Sequence, residues 1–402
     1  MKQQNRVKFP AGLSALGLAL ALMTSSASSL AQEIKVALIT GKTGALEAYA
    51  KETETGFMLG LEYLTNGKME INGRKLKVIL KDDQGKPDLG RTLLAEAYGD
   101  DKADIAVGTT SSGSALAMLP VAAEYKKILL VEPAVADIIT GEKWNRYIFR
   151  TSRNSTQDAL AAAGLLKSGS LAFLAQDYAF GRDGVKAGKE ALSAVGSKAK
   201  VVHEEYVPQN TSDFTAASQR IFDALKDKPA PRVLAILWAG ANPMNKIADL
   251  KPERFGIALA PGGNILPIIK TWKNFAGTEG ATYYYYDFPK NKMNDWLVTE
   301  HQKRYKLPPD FFTAGGFAAA SAVVTALQKA KSSDTEKLIT AMEGMEFETP
   351  KGKMQFRKED HQALQAMYHF RIKKEQKNEW DLLELVREIP ATEIPLPIKN
   401  KR

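Results

Sequence analysis

Strand-like and helix-like segments alternate along this chain in two successive sets, and this alternation restricts the possible folds more than any other feature. The predicted strands are residues 34–39, 76–80, 105–107 and 128–131 in the first set, and 171–175, 201–207, 233–237 and 257–259 in the second. Apolar residues at helical spacing occupy the intervals between them. Such alternation implies parallel sheets with right-handed crossovers. We therefore predict an α/β fold of two doubly wound lobes, with a ligand cleft at the carboxyl ends of the strands.

The first 31 residues have the pattern of a secretory signal. Lys2, Arg6 and Lys8 precede an apolar stretch at 11–23, and the small residues Ser29 and Ala31 predict cleavage after Ala31. The chain of 402 residues has no cysteine, which excludes disulfides, thiolate metal sites and a cysteine nucleophile. Export without cysteine favours a bacterial periplasm. We expect no later segment to span a membrane.

Charge and motif content exclude several classes of function. The net charge is +9, but basic residues are dispersed and often adjoin acids, so we expect no nucleic-acid partner. The four histidines lack metal-ligand spacing, and no phosphate-binding loop or nucleophile elbow is present, so we expect no metal, no cofactor and no catalytic residue. Asp82 and Asp83 are adjacent in a strand and point to opposite faces, which suits loop support better than acid–base catalysis.

A loop of small hydroxyl residues follows the predicted strand 105–107 and opens a helix. It contains Gly108, then Thr109, Thr110, Ser111, Ser112 and Ser114. The free N–H groups and the dipole of a helix start attract anions. With hydroxyl donors added, the loop can hold a carboxylate without a lysine or arginine. The alternative is that it only caps the helix.

In their order and spacing, these loops resemble those of the branched-chain amino-acid binding proteins of bacterial ABC importers, which have the type I periplasmic binding fold. The likeness covers nearly all of the chain after the signal. It rests on residues 34–39 with Gly44 and Tyr49, Leu80 to Asp83 with Pro87, residues 108–115, Pro133-Ala134, Phe149 to Thr151, and Asp177 to Gly181.

The resemblance implies two lobes joined by three crossings, near Arg150, Asp287 and Pro350. The N-terminal lobe would comprise residues 32–150 and 287–350, the C-terminal lobe 151–286 and 351–387, and an extended tail 388–402. The protein would act as a monomer that closes on a small carboxylate and docks on an ABC permease in the inner membrane.

The resemblance also implies a set of ligand-binding residues. The serine loop, with Ser111, Ser112 and Ser114, would hold the carboxylate. Tyr49 would flank the ligand, and Ala134 and Ala136 would offer backbone contacts. From the second lobe, Phe180 would close over the ligand beside Trp238, although both also suit core packing.

One departure from the family pattern bears on the ligand. Amino-acid binders place an acid in the loop after the Pro261-type residue, but Gly262 or Gly263 stands there in this chain. A buried ammonium without a counter-charge is costly, and Asp177 is the acid that could substitute. Asp177 and Gly263 complete the set of ten predicted ligand-binding residues. A site with carboxylate donors and aromatic walls suits an aromatic carboxylate of the benzoate, hydroxybenzoate or cinnamate type.

Other functions remain open from sequence. They are a branched-chain or aromatic amino-acid binding protein, a sensory ligand-binding module, and an exported hydrolase or amidase that uses Asp82, Asp83 or a serine of the loop.

Overall fold

The computed structural model describes residues 33–400 together with Met1 and Gln3, so the predicted signal segment and its cleavage site lie outside the described residues apart from those two. The first sheet contains β1 (Ile34–Thr40), β2 (Glu70–Ile71), β3 (Arg74–Asp82), β4 (Ile105–Gly108), β5 (Ile128–Val131) and β6 (Ile148–Arg150). Its order is β2-β3-β1-β4-β5-β6, and all neighbours except β2 and β3 are parallel.

Helices cover both faces of this sheet. They are α1 (Glu47–Leu64), α2 (Pro87–Gly99), α3 (Ser112–Tyr125), and, much later in the chain, the helices at Lys292–Tyr305, Phe311–Ala330 and Thr335–Met342. Successive residues of β1 face opposite sides. Val36 and Leu38 pack in one core with Phe57 of α1, whereas Ala37 and Ile39 pack with the helices on the other face.

The second lobe repeats this plan with a smaller sheet. Its strands are β7 (Ser170–Gln176), β8 (Lys200–Val207), β9 (Arg232–Leu237) and β10 (Ile257–Ala260), in the order β10-β9-β7-β8 and all parallel. Its helices are α4 (Ser155–Ala163), α5 (Ala179–Ala194), α6 (Thr215–Leu225), α7 (Met244–Asp249) and α8 (Leu266–Ile269). The predicted fold class of two doubly wound α/β lobes is confirmed.

Antiparallel strands complete both lobes. They are β11 (Glu279–Thr282), β12 (Glu346–Thr349), β13 (Gly352–Phe356), β14 (Ala363–Leu364), β15 (Met367–Ile372) and β16 (Leu383–Ile389). Strands β11, β15 and β16 form one sheet in the second lobe, and β12, β13 and β14 form another. The late helices are α9 (Lys292–Tyr305), α10 (Phe311–Ala330) and α11 (Thr335–Met342).

The chain crosses between the lobes after β6, between β11 and α9, and between β14 and β15. The predicted third crossing at Pro350 is wrong, because Pro350 lies in the turn of the β12–β13 hairpin. Met354 and Phe356 of that hairpin are buried in the first lobe's core, where Phe356 packs on Phe149 with ring centroids 5.3 Å apart. Residues 352–364 therefore belong to the first lobe.

The C-terminal tail reaches back to the first lobe. It begins after β16, at Pro390 rather than at 388. Lys399 Nζ lies 2.9 Å from a carboxylate oxygen of Asp137 in the first lobe and 2.6 Å from one of Glu190 in α5. The tail is thus a fourth connection, made by an ion pair with each lobe.

Helix α10 is long and apolar enough to cross a membrane by length and composition alone. However, 89% of its apolar window is buried inside the protein, as the central helix of the first lobe. Helix α10 packs closely on α1 at one glycine of each helix, Gly56 of α1 and Gly316 of α10. A Cβ added to Gly56 would lie 1.8 Å from the Thr313 oxygen, and one added to Gly316 would lie 2.0 Å from the Thr53 oxygen.

We expect Gly316→Ala to lower the stability of the protein by about 1–3 kcal/mol or more, because the methyl group must push α1 and α10 apart. Thermal unfolding of the ligand-free protein measures the effect. Gly113→Ala in α3 is the matched control: its Cβ would meet neighbours only at 3.6 Å, so this change should be neutral or slightly stabilising. Equal melting temperatures for Gly316→Ala and the parent would contradict the close-packing account.

Candidate functional site

A cavity of about 510 Å³ opens between the lobes. Loops at the carboxyl ends of β4 and β5 form its wall in the first lobe, and loops after β6, β7, β9 and β10 form its wall in the second. This is the position where open parallel sheets bind ligands. The volume lies within the range of about 300–1,000 Å³ that is typical of small-molecule sites.

The residues of the hydroxyl loop have two different roles, capping α3 and lining the cavity. Ser111 is the N-cap of α3, and its Oγ accepts the N–H of Ser114 at 3.5 Å. Thr110 and Ser112 line the cavity instead. Their oxygens accept the N–H groups of Gly41 (3.2 Å) and Ala136 (3.3 Å) respectively. Each hydroxyl therefore keeps its proton to donate, next to the free N–H groups at the start of α3.

Tyr49 of α1 lines the cavity and contacts the opposite lobe. Its hydroxyl accepts the N–H of Gly240 at 2.9 Å, and its ring packs on Phe312 at 4.3 Å between centroids. Burial raises the pKa of Tyr49 to about 12, so the hydroxyl stays neutral. The lobes touch across the cleft at this point, as they do where Asp183 accepts the N–H of Asp137 at 2.7 Å.

Aromatic rings form much of the wall. Phe180 is half-buried at the start of α5, and Trp238 follows β9. Trp238 is 7% exposed and packs edge-on against Phe214 at 5.0 Å, so it belongs to the core as well as to the cavity. Tyr283 lines the cavity after β11, and its hydroxyl donates to the Phe311 carbonyl at 2.5 Å.

Arg153 and Asp158 form an ion pair in the cavity wall, which also contains Glu279. The Nε of Arg153 lies 3.2 Å from Asp158 Oδ2, and its guanidinium lies over the Tyr283 ring at 4.7 Å. Burial disfavours the charge, but Asp158, Tyr283 and Glu132 outweigh it and raise the pKa of Arg153. Within the described residues, the buried Nη1 of Arg153 has no hydrogen-bond partner. An anion in the cavity could supply that partner.

The cavity brings together six of the ten residues proposed from sequence, namely Tyr49, Ser112, Ala134, Phe180, Trp238 and Gly263. The other four do not line it. Ser111 caps α3, and Ser114 is fully buried. Ala136 is also fully buried, with its N–H donated to Ser112 and its carbonyl accepting from Arg150 at 2.7 Å. Asp177 pairs with Arg182 on the surface.

Steric crowding excludes a side chain at Gly263 but not at Gly262, the other position where an acid was expected. A Cβ added to Gly263 would lie 2.6 Å from Thr282 Oγ1, so no side chain fits there. Gly262 has no atom within 4 Å of its would-be Cβ. With Asp177 outside the cavity, the acids that line it are Asp158 and Glu279, and Glu279 pairs with Arg371.

Sequence reasoning missed Arg153, Asp158, Asn264 and Tyr283 as lining residues. The position of Arg153, just past the end of a first-lobe strand, was the available signal, since strand ends face the cleft. The adjacent Asp82 and Asp83 hold loops, as expected. Asp82 accepts from Thr43 Oγ1 at 2.7 Å, and Asp83 accepts from Thr109 Oγ1 at 2.6 Å.

Comparison with known proteins decides the family. A family model of periplasmic binding proteins matches residues 33–377. The chain belongs to the periplasmic binding protein family. It is a solute-binding protein of an ABC transporter, and its fold is the type I periplasmic binding fold. Such proteins work in transport rather than catalysis, bind small molecules and partner with a membrane permease.

Three relatives illustrate the range of the family. A solved structure from Rhodopseudomonas palustris CGA009, described as an ABC-type branched-chain amino acid transporter, is 65% identical (TM-score 0.80, covering 92% of this chain and all of that one). A solute-binding protein from Rhodopseudomonas palustris BisB5, in complex with 3,4-dihydroxybenzoic acid, is 28% identical (TM-score 0.78, covering 90% and 99%). The Leu/Ile/Val-binding protein BraC3 of Rhizobium johnstonii is 26% identical over 335 residues, or 81% of this chain and 87% of that protein.

A buried acid lies beneath the cavity. Glu132 follows β5 directly, just before Pro133 of the cavity wall, and its carboxylate accepts a hydrogen bond from Thr151 Oγ1 at 2.9 Å. Burial raises the pKa of Glu132 to about 7, against the Thr151 bond and the charges of Arg153 and Lys351. Because the folded-state pKa exceeds the usual value near 4.5, the protonated form favours folding, and this stabilisation is lost as the pH rises through about 7.

We therefore expect Glu132→Gln, which mimics the protonated acid, to leave stability nearly unchanged at pH 5 and to raise it by about 1–3 kcal/mol at pH 8. Denaturant unfolding at the two pH values measures the difference. The exposed Glu348→Gln makes the same chemical change as a control and should show no such pH dependence. A gain for Glu132→Gln that is equal at both pH values would refute the assignment.

Proposed function

We propose that this protein binds an aromatic carboxylate in the interlobe cavity and delivers it to the permease of its transporter. The observation that carries the proposal is Arg153, which lines an aromatic-walled cavity and whose buried Nη1 has no partner among the described residues. A guanidinium pairs with a carboxylate through charge-assisted hydrogen bonds. The ring of the ligand would lie against Phe180 and Trp238.

Both lobes would contribute to the carboxylate site. The first lobe offers the hydroxyls of Thr110 and Ser112 with the start of α3, and the second lobe offers Arg153. A ligand drives closure only through its greater affinity for the closed state. A carboxylate that bonds to both lobes at once would have this preference, and the hydrogen bond from the Gly240 N–H to the Tyr49 hydroxyl, which joins the lobes across the cleft, supports such an arrangement. Rotation would occur at the three crossings, in an exported monomer whose signal is cleaved after Ala31.

Asp158 favours a second candidate, an amino acid. It lines the cavity and accepts only long hydrogen bonds, of 3.2–3.3 Å, from Arg153 Nε. An α-amino acid could place its ammonium on Asp158 and its carboxylate on Arg153. The 65% identical relative, described as a branched-chain amino acid transporter, supports this candidate. The relative with bound 3,4-dihydroxybenzoic acid supports the aromatic one.

Arg153→Gln should weaken binding of benzoate or 4-hydroxybenzoate by about 30-fold or more, because it removes the charged partner of a desolvated carboxylate. Isothermal titration calorimetry on the mature protein measures the affinity, and an unchanged melting temperature of the ligand-free variant shows that it folds. Affinity within threefold of the parent would exclude Arg153 from the carboxylate site.

Asp158→Asn separates the two candidates. If the ligand is an aromatic carboxylate, the variant should bind it as well as the parent or better, because Arg153 loses its competing anion. If the ligand is leucine, valine or phenylalanine, the ammonium loses its counter-charge and binding should fall by at least about 30-fold. A parent protein that binds amino acids and ignores benzoates would overturn the proposed function.

A further inference from the structure

The cavity continues well past the groups that would hold a carboxylate and one ring. It extends between α4 and the face of the second lobe's sheet, where it is lined by Ala159, Ala162 and Leu166 on one side and by Val233, Ala235 and Ala258 on the other. We call this extension the α4 slot. All six side chains are apolar, so these six offer no partner to a polar group.

Strand register explains how the sheet side of the slot is built. Val233 and Ala235 are two residues apart in β9 and face the same side. Their partners in β10 are Ala258 and Ala260, and both pairs lie next to each other on that face. Three of these four residues are alanine. A sheet face covered by a helix ordinarily carries larger side chains, and the small ones leave a gap.

Helix α4 supplies the other side. It begins at the cleft, where Ser155 N–H donates to the Val135 carbonyl at 2.8 Å, and its nine residues extend about 12 Å from there. Ala159 and Ala162 are one turn apart on the slot side. Ala162 of α4 and Ala258 of the sheet are both solvent-exposed, and both line the cavity. The gap is therefore open rather than filled by protein.

We propose that the α4 slot binds an apolar tail of the ligand, so that the transported solute is an aromatic carboxylate whose ring carries an alkyl or aryl substituent. This inference rests on the proposed function and extends it. The slot is lined with alkyl groups and is continuous with the cleft. A ligand that enters it therefore gains binding free energy only by burying its own apolar surface there. A bare benzoate would leave the slot unused.

A series of 4-alkylbenzoates from methyl to butyl tests the proposal by isothermal titration calorimetry on the mature protein. Burial of each carbon of the alkyl group should raise affinity about threefold, so 4-butylbenzoate should bind about 80-fold more tightly than benzoate if all four carbons are buried, and about tenfold more tightly if only two are. Ala162→Leu and Ala235→Leu fill the slot from opposite sides. Each should remove the gain for 4-butylbenzoate and leave benzoate affinity within about twofold.

Ala216→Leu on the exposed side of α6 is the matched control and should change neither ligand. Ala162 is exposed, so its leucine variant tests the slot even if the Ala235 variant fails to fold. If all the 4-alkylbenzoates bind with the same affinity as benzoate, the proposal of a tail site is wrong and the proposed function still stands. If no member of the series binds while amino acids do, both proposals are wrong.

Discussion

The buried guanidinium of Arg150 is the interaction on which the geometry of the first crossing between the lobes depends. Its Nε donates to Gln362 at 2.6 Å, and its two other nitrogens donate to the Ala136 carbonyl and to Thr140. Gln362 in turn donates to the Ser152 carbonyl at 2.8 Å. One side chain thus joins the first crossing, the approach to the third crossing and the loop beside the cavity. Burial lowers the pKa of Arg150 to about 10, so the group stays charged at neutral pH. Loss of any partner would leave a buried charge or polar group unsatisfied, which makes the hinge geometry specific.

The two walls of the cavity differ in chemistry, and the difference suits a binding protein. The first lobe presents neutral donors, the hydroxyls of Thr110 and Ser112, on a rigid strand-to-helix turn. The second lobe presents the charge of Arg153 and most of the aromatic surface. A carboxylate held by one lobe alone would gain only part of the available hydrogen bonds, whereas one held by both would favour the closed arrangement. The C-terminal tail adds a further restraint, because Lys399 pairs with an acid in each lobe. Opening the cleft must separate or stretch those pairs.

Patterned segments were predicted well and irregular ones were not. Alternating strands and helices fixed the fold class, since periodicity directly reflects burial. The hydroxyl loop was located correctly, but its two roles, capping by Ser111 and exposure of Ser112 to the cavity, depend on backbone geometry that composition does not specify. The third crossing was misplaced because Pro350 has the character of a linker, although the alternation of Met354 and Phe356 in the next segment shows a strand with one buried face. Asp177 was proposed as an acid in the cavity, but its carboxylate lies on the surface, where it pairs with Arg182.

Sequence by itself determined the lobes, the position of the cleft at the strand ends and the absence of an acid at Gly263. Each of these follows from local chemistry. The spacing of apolar residues predicts the strands and helices of the lobes, the free N–H groups at helix starts mark the cleft, and a glycine simply has no side chain. Tertiary structure alone decided that Arg153 and Asp158 share the cavity, that Thr282 leaves no room at Gly263, and that alanines on α4, β9 and β10 leave an apolar slot. The physical reason is that these features arise between segments distant in the chain. The space between two packed surfaces depends on their register and separation, which no single segment encodes.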